Sequence, residues 1–213
     1  MIRVIIYKIS RKLFGRETLD KRNRKRLIDD NFSIISSNCN GGVILHDLGL
    51  RFNSPFVNLW ISPKDFIKLL NNLDEYLSYK LLPLQKTELN YPVGILGDII
   101  IHFQHYSSFS EAKEKWEQRL KRIVRNNIFI MFTDRDGCTY EDLLLFDKLD
   151  YPNKVVFVCR PYKDIKSSFY IRGFEREKSV GVLTEYRNSN LGRRYIDDFD
   201  YVRWFNGENI VTT

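Results

Sequence analysis

A cysteine followed by two glycines is the first feature of this chain whose residue types could do chemistry. Cys39 stands in SSNCNGG, between an apolar run and VILHDLG, which predicts a helix ended by Gly49. Gly41 and Gly42 would let the backbone turn sharply and present N–H groups at the start of that helix, where an anion is stabilised. A thiol held there should have a lowered pKa, which a nucleophilic cysteine needs.

Three interpretations of this loop stay open. Cys39 is a nucleophile, or the loop holds a phosphate while the cysteine fills space. In the second case the ligand-binding residues would be Asn38, Gly41 and Gly42. The third interpretation is a tight turn around a small buried thiol, which is the ordinary use of an unpaired cysteine.

Two aspartates that follow the apolar run IFIMF form the second candidate site. Asp134 and Asp136 resemble the DxD motif of GT-A glycosyltransferases. In that class the carboxylates hold a divalent cation that bridges the diphosphate of a nucleotide sugar, and oxygen ligands of this kind suit Mg²⁺ or Mn²⁺. The alternative is a turn in which Asp134 bonds its own backbone, Gly137 takes a positive φ, and Arg135 pairs with the aspartates.

Three histidines offer a general base. His102 and His105 are three residues apart in a predicted strand and therefore point to opposite faces. His102 shares a face with Gln104 and is the candidate base of a transferase. His46 follows Cys39 by seven residues and could share its helix face, or it simply caps the helix. Each histidine could equally be a hydrogen-bonded structural residue.

The elements that must position these residues alternate between strand and helix. Strands are predicted at FSIIS (32–36), FVNLWI (56–61), within 91–106, at IFIMF (128–132), at VVFVC (155–159), and more weakly around Phe169 and Val182. Helices are predicted after Ser62 and Pro63, after Ser110, and from a Thr139/Asp142 capping box to Leu149, and residues 195–205 form a terminal amphipathic segment. This order predicts an α/β fold: a layered single domain with a largely parallel or mixed sheet flanked by helices.

Open α/β sheets bind ligands beyond the carboxyl ends of their strands. Three predicted loops occupy such positions: the one that contains Cys39, the one that contains Asp134, and RPY after VVFVC. The last of these adds Arg160 to the candidate phosphate or ligand contacts.

Composition sets the class of protein. A chain of 213 residues with 43% hydrophobic residues can bury the core of one domain. We assign residues 1–30 to a basic N-terminal arm, 31–208 to the α/β domain and 209–213 to a tail. Three widely spaced cysteines without a CxxC pair indicate neither a disulfide framework nor a zinc knuckle. No apolar run suggests a membrane span or a signal peptide, so a cytoplasmic protein is expected.

The net charge of +7 is concentrated in the arm. Residues 1–26 carry ten Lys or Arg against Glu17 and Asp20, a net charge of +8 that leaves −1 for the rest of the chain. A nucleic-acid partner is not expected, because its binding domain would spread basic groups over the body. Apolar residues at helical spacing predict a basic amphipathic helix here: Ile2, Ile5, Ile6, Ile9 and Leu13. It could lie on an anionic inner membrane surface, or pack its apolar face on the domain.

Several long blocks of the sequence together resemble one bacterial family, domain of unknown function nineteen-nineteen, often labelled an exopolysaccharide biosynthesis protein. The blocks are NFSIISSNCNGG, LGLRFNSPFVNLWISPKDFIK, YPVGILGDIIIHFQHY, SFSEAKEKWEQR and FTDRDGCTYEDL, and the resemblance covers nearly all of residues 31–208. It implies the synthesis of capsule or other surface polysaccharide, and it assigns no catalytic residue.

Two enzyme classes therefore remain as expectations. The first is a metal-assisted glycosyltransferase that uses a nucleotide sugar and a carbohydrate or lipid-linked acceptor, with Asp134 and Asp136 as metal ligands and His102 as base. The second is a cysteine-nucleophile acyltransferase or hydrolase, with Cys39 served by one of the three histidines, including His46. A non-catalytic partner of a polysaccharide assembly complex is the third expectation.

Overall fold

The strands of the described residues form one parallel and two antiparallel sheets. The computed structural model describes residues 2–85, 87–188 and 192–210, and it leaves the side chains of residues 2–13 and 188 undescribed. The helices are α1 (Ile2–Arg26), α2 (Asn40–Leu48), α3 (Pro63–Asn71), α4 (Leu73–Ser78), α5 (Phe109–Leu120), α6 (Tyr140–Asp147), a 3-10 helix (Tyr195–Asp198) and α7 (Tyr201–Phe205). The strands are β1 (Ser33–Ser36), β2 (Trp60–Ile61), β3 (Leu81–Pro83), β4 (Val93–Leu96), β5 (Ile99–His102), β6 (Ile128–Thr133), β7 (Lys154–Val158), β8 (Ser168–Tyr170), β9 (Tyr186–Asn188) and β10 (Arg193–Arg194).

The central sheet is parallel throughout, in the order β1-β6-β7-β8. The middle residues of β1, β6 and β7 are apolar and buried, which is typical of a parallel sheet with both faces covered. Side chains alternate between two cores: Ile35, Ile130 and Phe132 point to one, whereas Ile34 and Phe129 point to the other. The sheet is therefore the middle layer of an α/β sandwich, as the sequence predicts.

Helices cover the two faces of this sheet in different ways. On one face α2 packs together with α7, through residues such as Leu45 and Trp204. On the other face lie α3 to α6 and the antiparallel sheet β2-β5-β4-β3. This second sheet is tied to the first because the N–H of Ile61 donates to the carbonyl of Ser37, just past β1, at 3.0 Å.

Local signals in the sequence are confirmed where a few residues decide the element. Ser62 caps α3 by accepting a hydrogen bond from the N–H of Asp65, and Thr139 and Asp142 form a capping box at α6. Gly49 ends α2 in the left-handed conformation, with φ of 70°.

Other predicted boundaries are wrong. The cap of α5 is Ser108 and not Ser110, because the hydroxyl of Ser108 is the one that reaches the N–H of Glu111. Of the run 56–61 only Trp60–Ile61 is a strand, since only these two residues pair with β5. The predicted strand around Val182 is absent, as that residue lies in an irregular stretch between β8 and β9 of the described chain.

The described part of the N-terminal helix is docked on the domain. Arg16 is buried, and its guanidinium lies 2.6 Å from Asp20, 2.8 Å from Asp47 and 2.7 Å from Asp197. Arg26 adds a 2.5 Å ion pair to Asp200. The composition suggests that these basic residues lie in a free arm. Arg16 and Arg26 instead attach α1 to α2 and to the C-terminal segment.

The apolar stripe of α1 falls on side chains of residues 2–13, outside the described side chains. Its docking on an anionic membrane surface stays a prediction. Across the described residues, no helix combines the length and the apolar character that crossing a bilayer requires.

Candidate functional site

The carboxyl edge of the parallel sheet has a crevice between β1 and β6. These strands are neighbours, yet the helix that follows β1 packs on one face of the sheet and the helix that follows β6 packs on the other. The two connections therefore diverge as they leave the edge. Such a topological switch point is where open α/β sheets bind their ligands.

A cavity of about 520 Å³ opens at this crevice. Its lining combines amides, aromatic rings and charged groups: Asn38, Cys39, Asn40, Leu59, Trp60, Tyr91, Gln104, His105, Arg135, Asp136, Val182 and Thr184. These residues come from the ends of β1 and β6, from the antiparallel sheet and its hairpin, and from the loop after β8. The size and mixed polarity suit a small organic ligand with several polar groups.

The floor of the cavity is the junction between β1 and α2. The side-chain Nδ2 of Asn38 donates to Oγ1 of Thr133 at 3.2 Å, which links the ends of β1 and β6. Its Oδ1 accepts the N–H of Asn40 at 3.1 Å. Asn38 thus fixes the first turn of α2, in which the N–H groups of Gly41 and Gly42 have no carbonyl partner within the helix and lie at the positive end of its dipole.

The two glycines belong to the helix and do not form a loop before it. Gly41 and Gly42 lie in the first turn of α2, which begins at Asn40. A Cβ on Gly41 would meet Cγ2 of Ile34 at 2.7 Å, and one on Gly42 would meet Cγ1 of Val57 at 3.1 Å. Close packing of α2 against β1 therefore explains these glycines, and the predicted sharp turn is not what requires them.

Cys39 lines the cavity at the N-cap position of α2, but its thiol is largely withdrawn from solvent. Its Sγ lies 4.0 Å from the carbonyl oxygen of Leu59. Burial raises the pKa of this thiol, which is opposite to the lowered pKa that the sequence suggests. His46 lies seven residues further along α2, about 10 Å at 1.5 Å per residue, and points into solvent beside Asp47.

Asp134 holds the site together from outside the cavity. It is buried, and its two oxygens accept the N–H of Cys159 at 2.8 Å and the N–H of Val180 at 2.7 Å. Burial raises the pKa of this carboxyl in spite of the two hydrogen bonds. The bond to Val180 draws the 171–185 segment over the end of β6, and this segment brings Thr184 to the cavity.

Asp136 points the other way and lines the cavity. Its Oδ2 accepts a hydrogen bond from Nε1 of Trp60 at 3.0 Å, and its backbone has a positive φ of 60°. The structure therefore does not direct Asp134 and Asp136 at a common cation. Within the described ranges no three His, Cys, Asp or Glu side chains converge in a way that would hold a metal ion.

His102 and His105 differ in whether they reach the cavity. His105 lines the cavity, whereas His102 lies behind the aromatic wall, with its ring 4.4 Å from that of Trp60 and its Nδ1 3.4 Å from Oη of Tyr91. Burial lowers the pKa of His102, and the charge of Asp65 opposes this shift. His102 thus supports Trp60 and Tyr91 instead of meeting a ligand directly.

The two arginines at this edge also differ. Arg135 lines the cavity beside Asp136. Arg160 is exposed and lies outside the lining, where Nη2 reaches the carbonyl of Glu177 at 3.4 Å. Arg160, which the sequence predicts as a ligand contact, therefore lies at the expected edge of the sheet but outside the cavity. The guanidinium that lines the cavity is that of Arg135.

Comparison with known proteins identifies the family to which this chain belongs. Residues 9–206 match the family described as Domain of unknown function (DUF1919). The chain belongs to this family. A Haemophilus influenzae protein (strain ATCC 51907 / DSM 11121 / KW20 / Rd) with the name "Uncharacterized protein" is 50% identical over 188 residues, which cover 88% of this chain and 90% of the relative. The family match begins inside α1, so most of that helix is part of the family's domain.

Trp60, Tyr91 and Thr184 line the candidate site, and the sequence alone does not reveal them. Trp60 is brought to the cavity by the junction between β2 and the end of β1, and Tyr91 by the hairpin of β4 and β5. The only signal at Trp60 is an aromatic residue two positions before Ser62, the N-cap of α3. Thr184 carries no signal, because the bond between Asp134 and Val180 positions its segment.

Proposed function

We propose that the cavity binds a phosphate-linked sugar and that the protein transfers this sugar in the synthesis of a bacterial surface polysaccharide. The observation that carries the proposal is the lining of one switch-point cavity by aromatic rings, amides, an arginine and a carboxylate. The family resemblance stated above, with its exopolysaccharide label, points to the same setting.

The sugar and its nucleoside need flat apolar surfaces and hydrogen-bonding groups at the same time. Trp60 and Tyr91 offer aromatic faces on which a ring can stack, and the amides of Asn40 and Gln104 can bond hydroxyl groups. Amide groups both donate and accept hydrogen bonds, which matches the dual character of sugar hydroxyls.

The phosphate of such a donor needs positive charge. Arg135 can make two parallel hydrogen bonds to it, and the N-terminus of α2 offers the N–H groups of Gly41 and Gly42 together with the helix dipole. These groups would also take up the charge that develops on the leaving phosphate during transfer. A cation that bridges the phosphates would find Asp136, but not Asp134, as a carboxylate facing the cavity.

We propose Asp136 as the general base. In the transfer the acceptor oxygen forms a bond to C1 of the sugar and the bond from C1 to the phosphate oxygen breaks. The acceptor proton passes to the carboxylate of Asp136, and the departing phosphate keeps the electron pair. The hydrogen bond from Trp60 holds this carboxylate at the cavity wall, which is the preorganisation that a base requires.

A thermal-shift panel of nucleotide sugars, each with and without Mn²⁺, tests the proposal. The proteins are wild type, Asp136→Asn, Arg135→Gln, and the control Asp150→Asn, which changes an exposed aspartate outside the cavity. At a concentration 100 times Kd a true donor should stabilise the fold by about 2.7 kcal/mol, which is roughly 5–10 °C in Tm. The shift should shrink in both cavity variants and persist in the control.

Other outcomes of this thermal-shift panel would lead to different conclusions. If no nucleotide sugar raises Tm, the donor-binding proposal fails and a non-catalytic role becomes the better explanation. If a donor binds equally well to Asp136→Asn and to Arg135→Gln, the ligand does not occupy this cavity. A shift that requires Mn²⁺ in wild type and is lost in Asp136→Asn would assign a metal-bridged donor to Asp136.

A further inference from the structure

Two distant segments of the chain meet beside the edge strand β1, away from the cavity. The hydroxyl of Ser33 donates to the carbonyl of Asn53 at 2.6 Å and accepts the N–H of Val124 at 2.9 Å. It therefore ties the segment after α2 to the segment after α5. Arg51 belongs to the first of these segments, and Arg122 to the second.

A third arginine joins them. The guanidinium of Arg119 lies over the ring of Phe52, 5.2 Å from its centroid, and its Nη1 donates to Oη of Tyr106 at 2.6 Å. Arg122 follows almost one helical turn later, and its backbone N–H bonds the carbonyl of Arg119 at 3.0 Å. We name Arg51, Arg119 and Arg122 the arginine cluster.

The charge of this cluster is only weakly offset in the described part of the protein, where the carboxylate of Glu111 attracts Arg119 without forming an ion pair with it. None of the three guanidinium groups makes an ion pair among the described residues. The carboxylate of Glu111, on the same helix, instead accepts hydrogen bonds from the backbone N–H and the hydroxyl of Ser107, at 3.1 and 2.6 Å. Burial, followed by the charges of Arg51 and Arg119, lowers the pKa of Arg122, which reflects how close the like charges lie.

Local helix chemistry explains part of the cluster and not the whole. Arg119 and Arg122 lie at the C-terminal end of α5, where cations are favoured, and Nε of Arg122 bonds the carbonyl of Gln118 at 3.2 Å. Arg51 is exposed and is not on that helix, so it gains nothing from its dipole. Its position beside two other cations costs energy unless an anion offsets it.

We propose that the arginine cluster binds a phosphate-bearing ligand. Guanidinium groups match phosphate oxygens with paired hydrogen bonds, and Arg119 is already held in place by Phe52 and Tyr106. The phosphate comes from a soluble molecule or from a phospholipid headgroup. None of the three arginines lines the cavity, so the site does not depend on the function proposed above.

Calorimetric titration with inorganic pyrophosphate tests the site. All proteins carry Arg135→Gln, so that phosphate binding in the cavity does not contribute. The test variant adds Arg51→Gln and Arg122→Gln, which spare Arg119 and its contacts. The control adds Lys148→Gln, which removes one exposed positive charge elsewhere. We expect the Kd for pyrophosphate to rise at least tenfold in the test variant and to stay within twofold in the control.

Two further readouts separate a binding site from a structural role. Without ligand, the test variant should melt at the same temperature as its parent or higher, because repulsion is relieved; a purely helix-capping role predicts a lower Tm. Cosedimentation with phosphatidylglycerol vesicles, against phosphatidylcholine vesicles, then identifies the source. Tighter binding to the anionic vesicles that is lost in the test variant assigns a lipid headgroup, and binding of pyrophosphate alone assigns a soluble phosphate. Absence of both, or equal binding by parent and test variant, overturns the proposal.

Discussion

The indole Nε1 of Trp60 donates a 3.0 Å hydrogen bond to Oδ2 of Asp136, and this bond joins the antiparallel sheet to the loop that follows the parallel strand β6. The two residues are 76 positions apart in sequence. The bond places an aromatic face and a carboxylate on one wall of the cavity. It also holds a loop in which Asp136 adopts a positive φ, a conformation that the surroundings must maintain.

The first prediction concerns this bond. Trp60→Phe keeps an aromatic face and removes only the donor, so the carboxylate loses its orientation. We expect about a tenfold loss of affinity for a sugar donor, equivalent to about 1.4 kcal/mol, measured by calorimetry. Trp60→Ala removes the face as well and should lose more. Equal affinities for wild type and Trp60→Phe would show that the indole N–H does not position the site.

The second prediction concerns the packing of α2 on β1. Gly41→Ala places a Cβ 2.7 Å from Ile34, and the overpacking should cost about 1–3 kcal/mol, or roughly 3–10 °C in Tm. The Cβ that Gly42→Ala adds would lie 3.1 Å from Val57, which is a milder overlap. This substitution should therefore cost less, because the higher helix propensity of alanine offsets more of the loss. Thermal unfolding of both variants gives the order. A larger loss at Gly42 would contradict this account of the two glycines.

The third prediction concerns Asp134. Its carboxylate accepts two backbone N–H groups, and asparagine has one acceptor oxygen, so Asp134→Asn leaves one buried donor unpaired. We expect a loss of about 1–3 kcal/mol of unfolding free energy at pH 7, measured by urea titration. The segment with Val180 should loosen and become sensitive to proteolysis. Asp150→Asn, on the surface, is the matched control and should change stability little.

The effect of Asp134 should also depend on pH. Because burial raises the pKa of the folded state above the ordinary value of 3.8, the folded protein binds this proton more tightly than the unfolded chain. The contribution of Asp134 to stability is therefore greatest below pH 3.8 and falls as pH rises to the folded-state pKa. The difference between wild type and Asp134→Asn should widen on acidification through that window. A difference that narrows there would contradict the raised pKa.

The fourth prediction concerns Cys39. Burial raises the pKa of its thiol, so alkylation by iodoacetamide should be slow at pH 7 and accelerate only in alkaline solution. Cys39→Ser should keep donor binding and turnover within about twofold, since the proposed transfer uses the residue only as part of the cavity lining. Fast labelling at neutral pH together with an inactive serine variant would instead support the acyl-transfer hypothesis.

The fifth prediction concerns the attachment of α1. Arg16→Met removes the cation shared by Asp20, Asp47 and Asp197 and leaves buried carboxylates without it, which should cost about 3–5 kcal/mol. Lys21→Met breaks only an exposed pair on the same helix, which solvent screens, and should cost far less. Denaturant titration compares them. Similar small losses in both variants would mean that the helix is not anchored by Arg16.

The fold class and several element ends follow from short stretches of sequence. FSIIS contains β1 and IFIMF lies in β6 because each is a short run that buries an apolar residue on both faces, and the capping box of Thr139 and Asp142 requires only residues three apart. The charge of residues 1–26 is equally plain in the sequence. The use of Arg16 in a buried ion network is not, because its partners Asp47 and Asp197 are distant in the chain.

The candidate site, like the fold, is determined partly by local sequence and partly by tertiary contacts. The sequence by itself determined that Cys39 and Asp136 follow two apolar strands and so belong at the edge of the sheet where ligands bind. Only the tertiary structure decided that Asp134 is buried and bonds two backbone N–H groups, that Asp136 faces the cavity, and that Trp60 lies beside it. The physical reason is that periodicity and caps are set by neighbours in the chain. The direction of a carboxylate is set by donors that folding brings from elsewhere.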